Sequence, residues 1–277
     1  MIIRIGVLVS MAWSLLGFGP FRTVAADSTP TKGRLPAVAI EPADWPMYNH
    51  DPTGWRLNPA EETLSPANVG KLVEKWRFPA EDSKETIGVV HATPTVVAGE
   101  VYFGTVTDPA FYKLAPDGKL LWVYRNTTTN DNRLRPPKTA GTSDNDKLRR
   151  AAQGRGIFSS ALVAGGAVYF ADNGGWIYCL DAGEGVELWK IDTRDPAFPD
   201  AHWNNLLMAS PILADGKVIF GGGTLEQIFA GTKEYPGSTG RGFVVALEPT
   251  SGELVWKYDV GPKPQKLDPP VVINYSW

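Results

Sequence analysis

The sequence predicts an all-β fold, a β-propeller built from four-stranded antiparallel blades. Three observations predict it. A glycine stands four residues before a tryptophan three times, at Gly118 and Trp122, Gly185 and Trp189, and Gly252 and Trp256. Each pair closes a stretch with the same four apolar runs, and tandem four-stranded units are the signature of a propeller. The chain is also rich in turn formers and flat rings, with 29 Gly, 23 Pro and 10 Trp in 277 residues, as many short strands with tight turns require.

The elements follow in order. The first copy runs ATPTVVAGEVYFGT (92–105) and then FYKLAPDGKLLWVY (111–124). The second runs SSALVAGGAVYFAD (159–172) and then WIYCLDAGEGVELWKID (176–192). The third runs ASPILADGKVIFGG (209–222) and then FVVALEPTSGELVWKYD (243–259). In each copy an apolar strand comes first, followed by a turn built on Gly99, Gly165-Gly166 or Asp215-Gly216. A second strand ends in Phe103, Phe170 or Phe220, and a third ends in Leu114, Leu180 or Leu247. A polar turn then reaches the glycine, where a positive φ is expected, and a fourth strand carries the tryptophan. Blades are expected over about 79–125, 157–192 and 206–260, within a partial propeller spanning 44–277. Trp122, Trp189 and Trp256 are read as packing residues that cover the edge of a blade and meet the next one, because a position repeated in every copy serves the repeat.

The first residues read as an export signal. Arg4 supplies a positive start, Ile5 to Phe18 are apolar or small, and Val24-Ala25-Ala26 supplies small residues at a cleavage site. Residues 1–26 are therefore expected to be removed, leaving a flexible 27–43 segment and a secreted or periplasmic protein. The apolar run is broken by Gly17, Gly19 and Pro20 and is too short to span a bilayer. Cys179 is the only cysteine, so no internal disulfide can form, and its setting in WIYCL reads as a small buried hydrophobe. A net charge of −3 gives no electrostatic case for nucleic acid or a membrane surface. The insertion 126–156 is locally basic and reads as a solvated loop that could recruit an anion. His50, His91 and His202 lack metal-ligand spacing. The segment 195–205 is expected at a blade mouth, packed by Phe198 and Trp203.

The run ALEPTSGELVW (246–256) resembles the tryptophan-docking motif of the pyrroloquinoline quinone (PQQ) dehydrogenases, and CLDAGEGVELW (179–189) keeps its Asp181, Gly185 and Trp189. DWPMYNHDPTGWRLNP (44–59) with LSPANVGKLVEKWRF (64–78) is similar to the family's leading segment, in which a strand ending in Trp76 is given to the last blade. The third copy, with LEQ (225–227) and YPGSTGRGFVVAL (235–247), resembles the polyvinyl-alcohol dehydrogenases within that family. The resemblance implies an eight-bladed ring holding PQQ and Ca2+, oxidation of an alcohol, and electrons passed to a cytochrome c. It implies a cofactor-binding role for Arg241 and a metal-binding role for Glu226, and it assigns no catalytic residue. Gly237-Ser238 stand where many relatives carry adjacent cysteines.

At about 45–65 residues per blade, three copies fill about half of such a ring. VVINYSW (271–277) reads as the start of a further blade. The chain is thus expected to be an N-terminal part of a longer enzyme, inactive alone. A non-catalytic scaffold of the bacterial envelope, and a relative without cofactor, stay open as alternatives.

Overall fold

The structure is a computed structural model that describes residue 41 and residues 44–135, 154–226 and 239–264. The expected signal peptide, most of 27–43, the middle of the 126–156 insertion, Gly237-Ser238 and the 271–277 run lie outside the described residues. Among the described residues thirteen strands are formed, with one short 3-10 turn at Val69–Lys71. Blade 1 is β1 (Thr95–Val97), β2 (Glu100–Gly104), β3 (Phe111–Leu114) and β4 (Leu120–Tyr124). Blade 2 is β5 (Leu162–Ala164), β6 (Ala167–Ala171), β7 (Trp176–Asp181) and β8 (Glu187–Asp192). After the two-residue β9 (Asn205–Leu206), blade 3 is β10 (Ile212–Ala214), β11 (Lys217–Thr224), β12 (Gly242–Leu247) and β13 (Leu254–Val260). Every blade is an antiparallel meander in chain order, and β9 pairs only with the end of β11.

The first turn of each blade is a two-residue loop with both residues at positive φ: Ala98 and Gly99, Gly165 and Gly166, Asp215 and Gly216. That geometry matches the twist of the strands it joins. The third strands share a second device. The register shifts at Lys113/Leu114, Cys179/Leu180 and Ala246/Leu247, a bulge that turns the chain toward the glycine.

The cores lie between blades rather than within them. Val168, Phe170, Tyr178 and Leu180 face blade 1, in one cluster with Tyr102 and Phe111. Their neighbours in sequence, Ala167, Tyr169, Ile177 and Cys179, face blade 3, in a cluster with Val218, Phe220, Phe243 and Val245. Strand alternation thus feeds two seams from one sheet. Blade 2, covered on both sides, is buried throughout β5 and β6.

The tryptophans lock these seams. A Cβ on Gly118 would meet the Trp76 ring at 2.6 Å, one on Gly185 the Trp122 ring at 2.5 Å, and one on Gly252 the Trp189 ring at 2.7 Å. Each indole N–H donates across the seam to a carbonyl of the same turn: Trp76 to Pro116 at 2.9 Å, Trp122 to Ala182 at 3.3 Å, Trp189 to Pro249 at 2.8 Å. The glycine is therefore required twice, for its positive φ and for the ring lying on it. Trp256 is the exception, with 41% of its surface exposed, so among the described residues the packing expected of it is not made. Trp76 docks as its successors do, but no ladder includes it among the described residues. A strand exists only with a hydrogen-bonded partner, and here the side chain alone fixes Trp76. The leading segment is held instead by a bridge between Trp45 and Val96, and by Pro46 accepting from the Val163 amide at 2.9 Å. It crosses the first strands of blades 1 and 2 and delivers Met47 to the seam of blades 2 and 3.

Candidate functional site

In a four-stranded meander the turn from second to third strand and the link from fourth strand to the next blade emerge at the same end. That end, opposite the tryptophan turns, is the mouth. In blade 2 its turn is ADNGGW (171–176). Asp172 accepts from the amides of Gly174 (2.9 Å) and Trp176 (3.0 Å) through one oxygen and from the Tyr178 hydroxyl (2.6 Å) through the other. Burial raises the Asp172 carboxyl from the usual carboxylate range to about 6, opposed by these hydrogen bonds. Gly175 has φ +89, and a Cβ there would lie 2.9 Å from the Asn205 carbonyl, so only glycine lets the link to blade 3 approach.

Basic side chains converge on this turn. The Arg133 and Arg155 guanidiniums lie 5.4 and 5.8 Å from the Trp176 ring, and the Lys190 ammonium 5.9 Å from it, within cation–π range. Arg133 donates to the Gly174 carbonyl at 2.6 Å and to Asp192 at 2.8 Å. Arg194, buried, donates to the Asn205 carbonyl at 2.8 Å, and its burial lowers its guanidinium to about 10. Four buried polar atoms here have no partner among the described residues: Trp176 Nε1, Arg133 Nε and Asn173 Oδ1 at this turn, and Asn204 Nδ2 on the link to blade 3, where its Oδ1 accepts from the Leu225 amide. Three of them are donors. Each buried donor left unmade costs about 1–3 kcal/mol, which singles out the mouth of blade 2 as the candidate site.

The described ends of the 126–156 insertion differ from the solvated loop that the composition predicts. Asn126 donates to the Tyr178 hydroxyl at 2.8 Å, and Asn130 to Asp192 and Asp195 at 3.0 and 2.9 Å. Arg155 donates to the carbonyls of Asn126 and Thr128. Asn126 and Asn130, which looked free in sequence, thus have buried partners on blade 2 in Tyr178 and Asp192.

The two residues singled out in sequence lie on blade 3. Glu226, buried, accepts from the amides of Thr239 (3.0 Å) and Gly240 (3.1 Å) and makes a short bond to the Thr239 hydroxyl. His202 reaches the same hydroxyl at 3.0 Å, and burial lowers the pKa of its ring. Glu226 thus grips the residues just before Arg241. The Arg241 side chain turns to Asp200 (2.9 Å), Asp259 (2.6 Å) and the Gly261 carbonyl (3.2 Å). The Lys263 ammonium, with Arg241, holds the Asp200 carboxyl down at about 2. Among the described residues no three His, Cys, Asp or Glu side chains are grouped to hold a metal ion. His50 packs on Trp45 and His91 on Phe158. Phe198 packs on Phe243, and Trp203 on Leu206 and Leu225, at the link expected to lie at a mouth. Cys179 is buried and free, its thiol pushed up to about 12 by burial.

Sequence reading missed Arg133, Asp172, Trp176 and Arg194. The available signals were the Asn-Gly-Gly turn before Trp176 and the Arg155-Gly156 pair, the same dipeptide as Arg241-Gly242.

Comparison with known proteins agrees with this architecture. The chain is 27% identical over 226 residues to the dehydrogenase subunit of the alcohol dehydrogenase (quinone) of Gluconobacter oxydans, covering 81% of this chain and 26% of that protein. It is 24% identical over 239 residues to the polyvinylalcohol dehydrogenase of a Pseudomonas species, covering 86% and 32%. The solved quinohemoprotein alcohol dehydrogenase of Pseudomonas putida HK5 superposes with a TM-score of 0.57 at 25% identity, over 80% of this chain and 27% of that one. The chain therefore spans between a quarter and a third of the length of these relatives. The family described as the β-propeller domain of PQQ-dependent glucose, ethanol and alcohol dehydrogenases matches residues 45–271, and this chain belongs to that family.

Proposed function

We propose that the chain forms part of a PQQ-dependent dehydrogenase that oxidises alcohol groups, of the polyvinyl-alcohol-dehydrogenase kind, and that passes the electrons to a cytochrome c in the periplasm. The observation that carries this reading is the mouth of blade 2. PQQ bears three carboxylates, and the mouth offers Arg133 and Arg155 with donors unpartnered among the described residues, Trp176 Nε1 and Arg133 Nε, and Asn204 Nδ2 on the adjoining link. That donor set fits a polycarboxylate. Bound PQQ supplies the acceptor for the electrons of the alcohol.

The chain's own residues have four tasks in this reading. Arg133, Arg155 and Asn204 hold acceptor oxygens and orient the bound group. Asp192, which accepts from Arg133, Asn130 and the Arg194 amide, fixes the guanidinium of Arg133. Arg241 supplies a further cation near the cofactor once it exchanges Asp200 or Asp259 for a ligand oxygen. Glu226 would give Ca2+ one anionic oxygen, the hard ligand that ion prefers, with the remaining ligands from outside the described residues.

Calorimetric titration of the signal-free chain with PQQ, with and without Ca2+, tests the reading. The expected result is binding that Arg155→Gln weakens by roughly tenfold, the loss of one charge-assisted hydrogen bond. Unchanged binding in Arg155→Gln would count against it. Turnover of alcohol by this chain alone would overturn the expectation that it is inactive without further blades.

A further inference from the structure

The seam between blades 1 and 2 contains a line of rings that the repeat does not require. Trp176 lies 6.5 Å from Tyr178, and Tyr178 lies 5.8 Å from Tyr124 and 4.7 Å from Phe170. Phe170 stacks on Phe111 at 4.1 Å, and Phe111 lies 6.2 Å from Trp122. The line begins under the arginines of the mouth and ends at the docked Trp122, over Gly185 at the opposite end of the blade. Both tyrosines on it carry a carboxylate partner: Tyr178 donates to Asp172 at 2.6 Å, Tyr124 to Glu187 at 2.5 Å. A phenol is oxidised readily only when its proton has somewhere to go, and an acceptor within hydrogen-bond reach provides that.

The neighbouring seam has the same frame and lacks the line. By register, Ile177 stands for Phe111, Ile191 for Tyr124, Val245 for Tyr178 and Phe243 for Trp176. Gly222 stands for Asp172 and Leu254 for Glu187. Phe220 and Phe243 remain there, but the two tyrosine positions and their two carboxylate acceptors are replaced together, so packing alone does not call for them.

We infer that the seam between blades 1 and 2 is a conduit for single electrons, in which Trp176, Tyr178, Tyr124 and Trp122 carry an oxidising hole away from the mouth. A one-electron oxidant of the peroxide-derived radical class takes an electron from Trp176. Tyr178 re-reduces Trp176, and its phenolic proton moves to Asp172. Tyr124 then gives an electron to Tyr178, which recovers its proton from Asp172, while the proton of Tyr124 moves to Glu187. Trp122 gives an electron to Tyr124 through Phe111 and Phe170, and the Tyr124 proton returns from Glu187. A thiol-class reductant at the seam edge restores Trp122. The net change is one electron from reductant to oxidant, with the ring line unchanged. The inference concerns this chain's own residues and holds whether or not PQQ occupies the mouth.

Cys179 is buried, so a cysteine introduced at the exposed Asn132, beside Arg133, accepts a single ruthenium photo-oxidant on the full chain. Flash-quench oxidation of Asn132→Cys is expected to give a transient tyrosyl radical by electron paramagnetic resonance and oxidised Trp122 by mass spectrometry. Tyr178→Phe should confine oxidation to Trp176. Tyr124→Phe, at the half-buried end where folding is least at risk, should abolish Trp122 oxidation as well. Asp172→Asn should remove the tyrosyl signal while the rings stay in place, and Tyr169→Phe in the other seam should change nothing. Trp122 oxidised equally in the Tyr124→Phe chain, or oxidation that never passes Trp176 in the parent, would overturn the inference.

Discussion

Two seams built by one rule have different interiors. Between blades 1 and 2, and again between blades 2 and 3, a tryptophan lies on a positive-φ glycine and donates to a carbonyl of the same turn. Behind that rim the first seam is aromatic and hydrogen-bonded to carboxylates, and the second is mostly aliphatic, closed by Met47, Ile177, Ile191 and Leu254. The repeat therefore determines only the rim and the register. Within the seam, any filling of the right volume satisfies packing, which leaves the interior free to carry other chemistry.

The rim can be broken directly. Trp189→Ala should destabilise by about 3 kcal/mol, since it empties a partly buried indole site on the Gly252 turn and removes the shorter of two hydrogen bonds to the Pro249 carbonyl. Trp256→Ala, at the same repeat position but exposed, should cost under about 1 kcal/mol. Urea unfolding of both variants measures the gap, and equal losses would mean that Trp256 is docked too. A somewhat smaller effect separates the two demands on the glycine. Gly185→Ala meets both the strained φ and the Trp122 ring, for about 2–4 kcal/mol. Gly166→Ala has φ +77 and nothing within 4 Å, so the strain of about 1–2 kcal/mol stands alone.

That second demand on the glycine marks where sequence reading stops. The three glycine–tryptophan pairs were legible as a repeat, and the repeat led to blades, strand order and hairpin turns. The contact itself joins Trp122 to Gly185 and Trp189 to Gly252 across copies, not within them, and spacing inside one copy cannot reveal it. The mouth was less legible still. Arg133 and Arg155 stand in a run of Thr, Asn and Asp that resembles a solvated loop by composition. They are ordered by Trp176, Asp192 and backbone carbonyls that lie elsewhere in the chain. Asp172 follows a strand like any turn aspartate, and only burial among Tyr178, Gly174 and Trp176 makes it unusual.

Asp172 also gives the two seams different pH responses. Its folded pKa, about 6, lies above the unfolded carboxylate value. Its contribution to stability is therefore complete below about pH 4 and is lost as pH rises through about 6. Across that window Asp172→Asn should lose less stability than the parent, the difference narrowing on the order of 2 kcal/mol by about pH 7. Seam 2/3 has Gly222 at this register position. Thermal melts at pH 4 and pH 7 test this, and parallel pH profiles for parent and variant would refute it.

The smallest contrast compares two buried tyrosines on opposite faces of one sheet. Tyr178 donates to a carboxylate at 2.6 Å, whereas Tyr169 meets neutral partners, the Pro249 carbonyl at 3.4 Å and the Cys179 thiol. Removing the first hydroxyl leaves a buried anion short of a donor, so Tyr178→Phe should cost about 1–3 kcal/mol. Tyr169→Phe deletes a weak bond to a carbonyl with a second suitor in the Trp189 indole, and should cost under about 1 kcal/mol. If the two substitutions cost the same by denaturant unfolding, the carboxylate of seam 1/2 is satisfied by its turn amides alone. The phenol would then be present for packing, and the contrast between the seams would reduce to ring size.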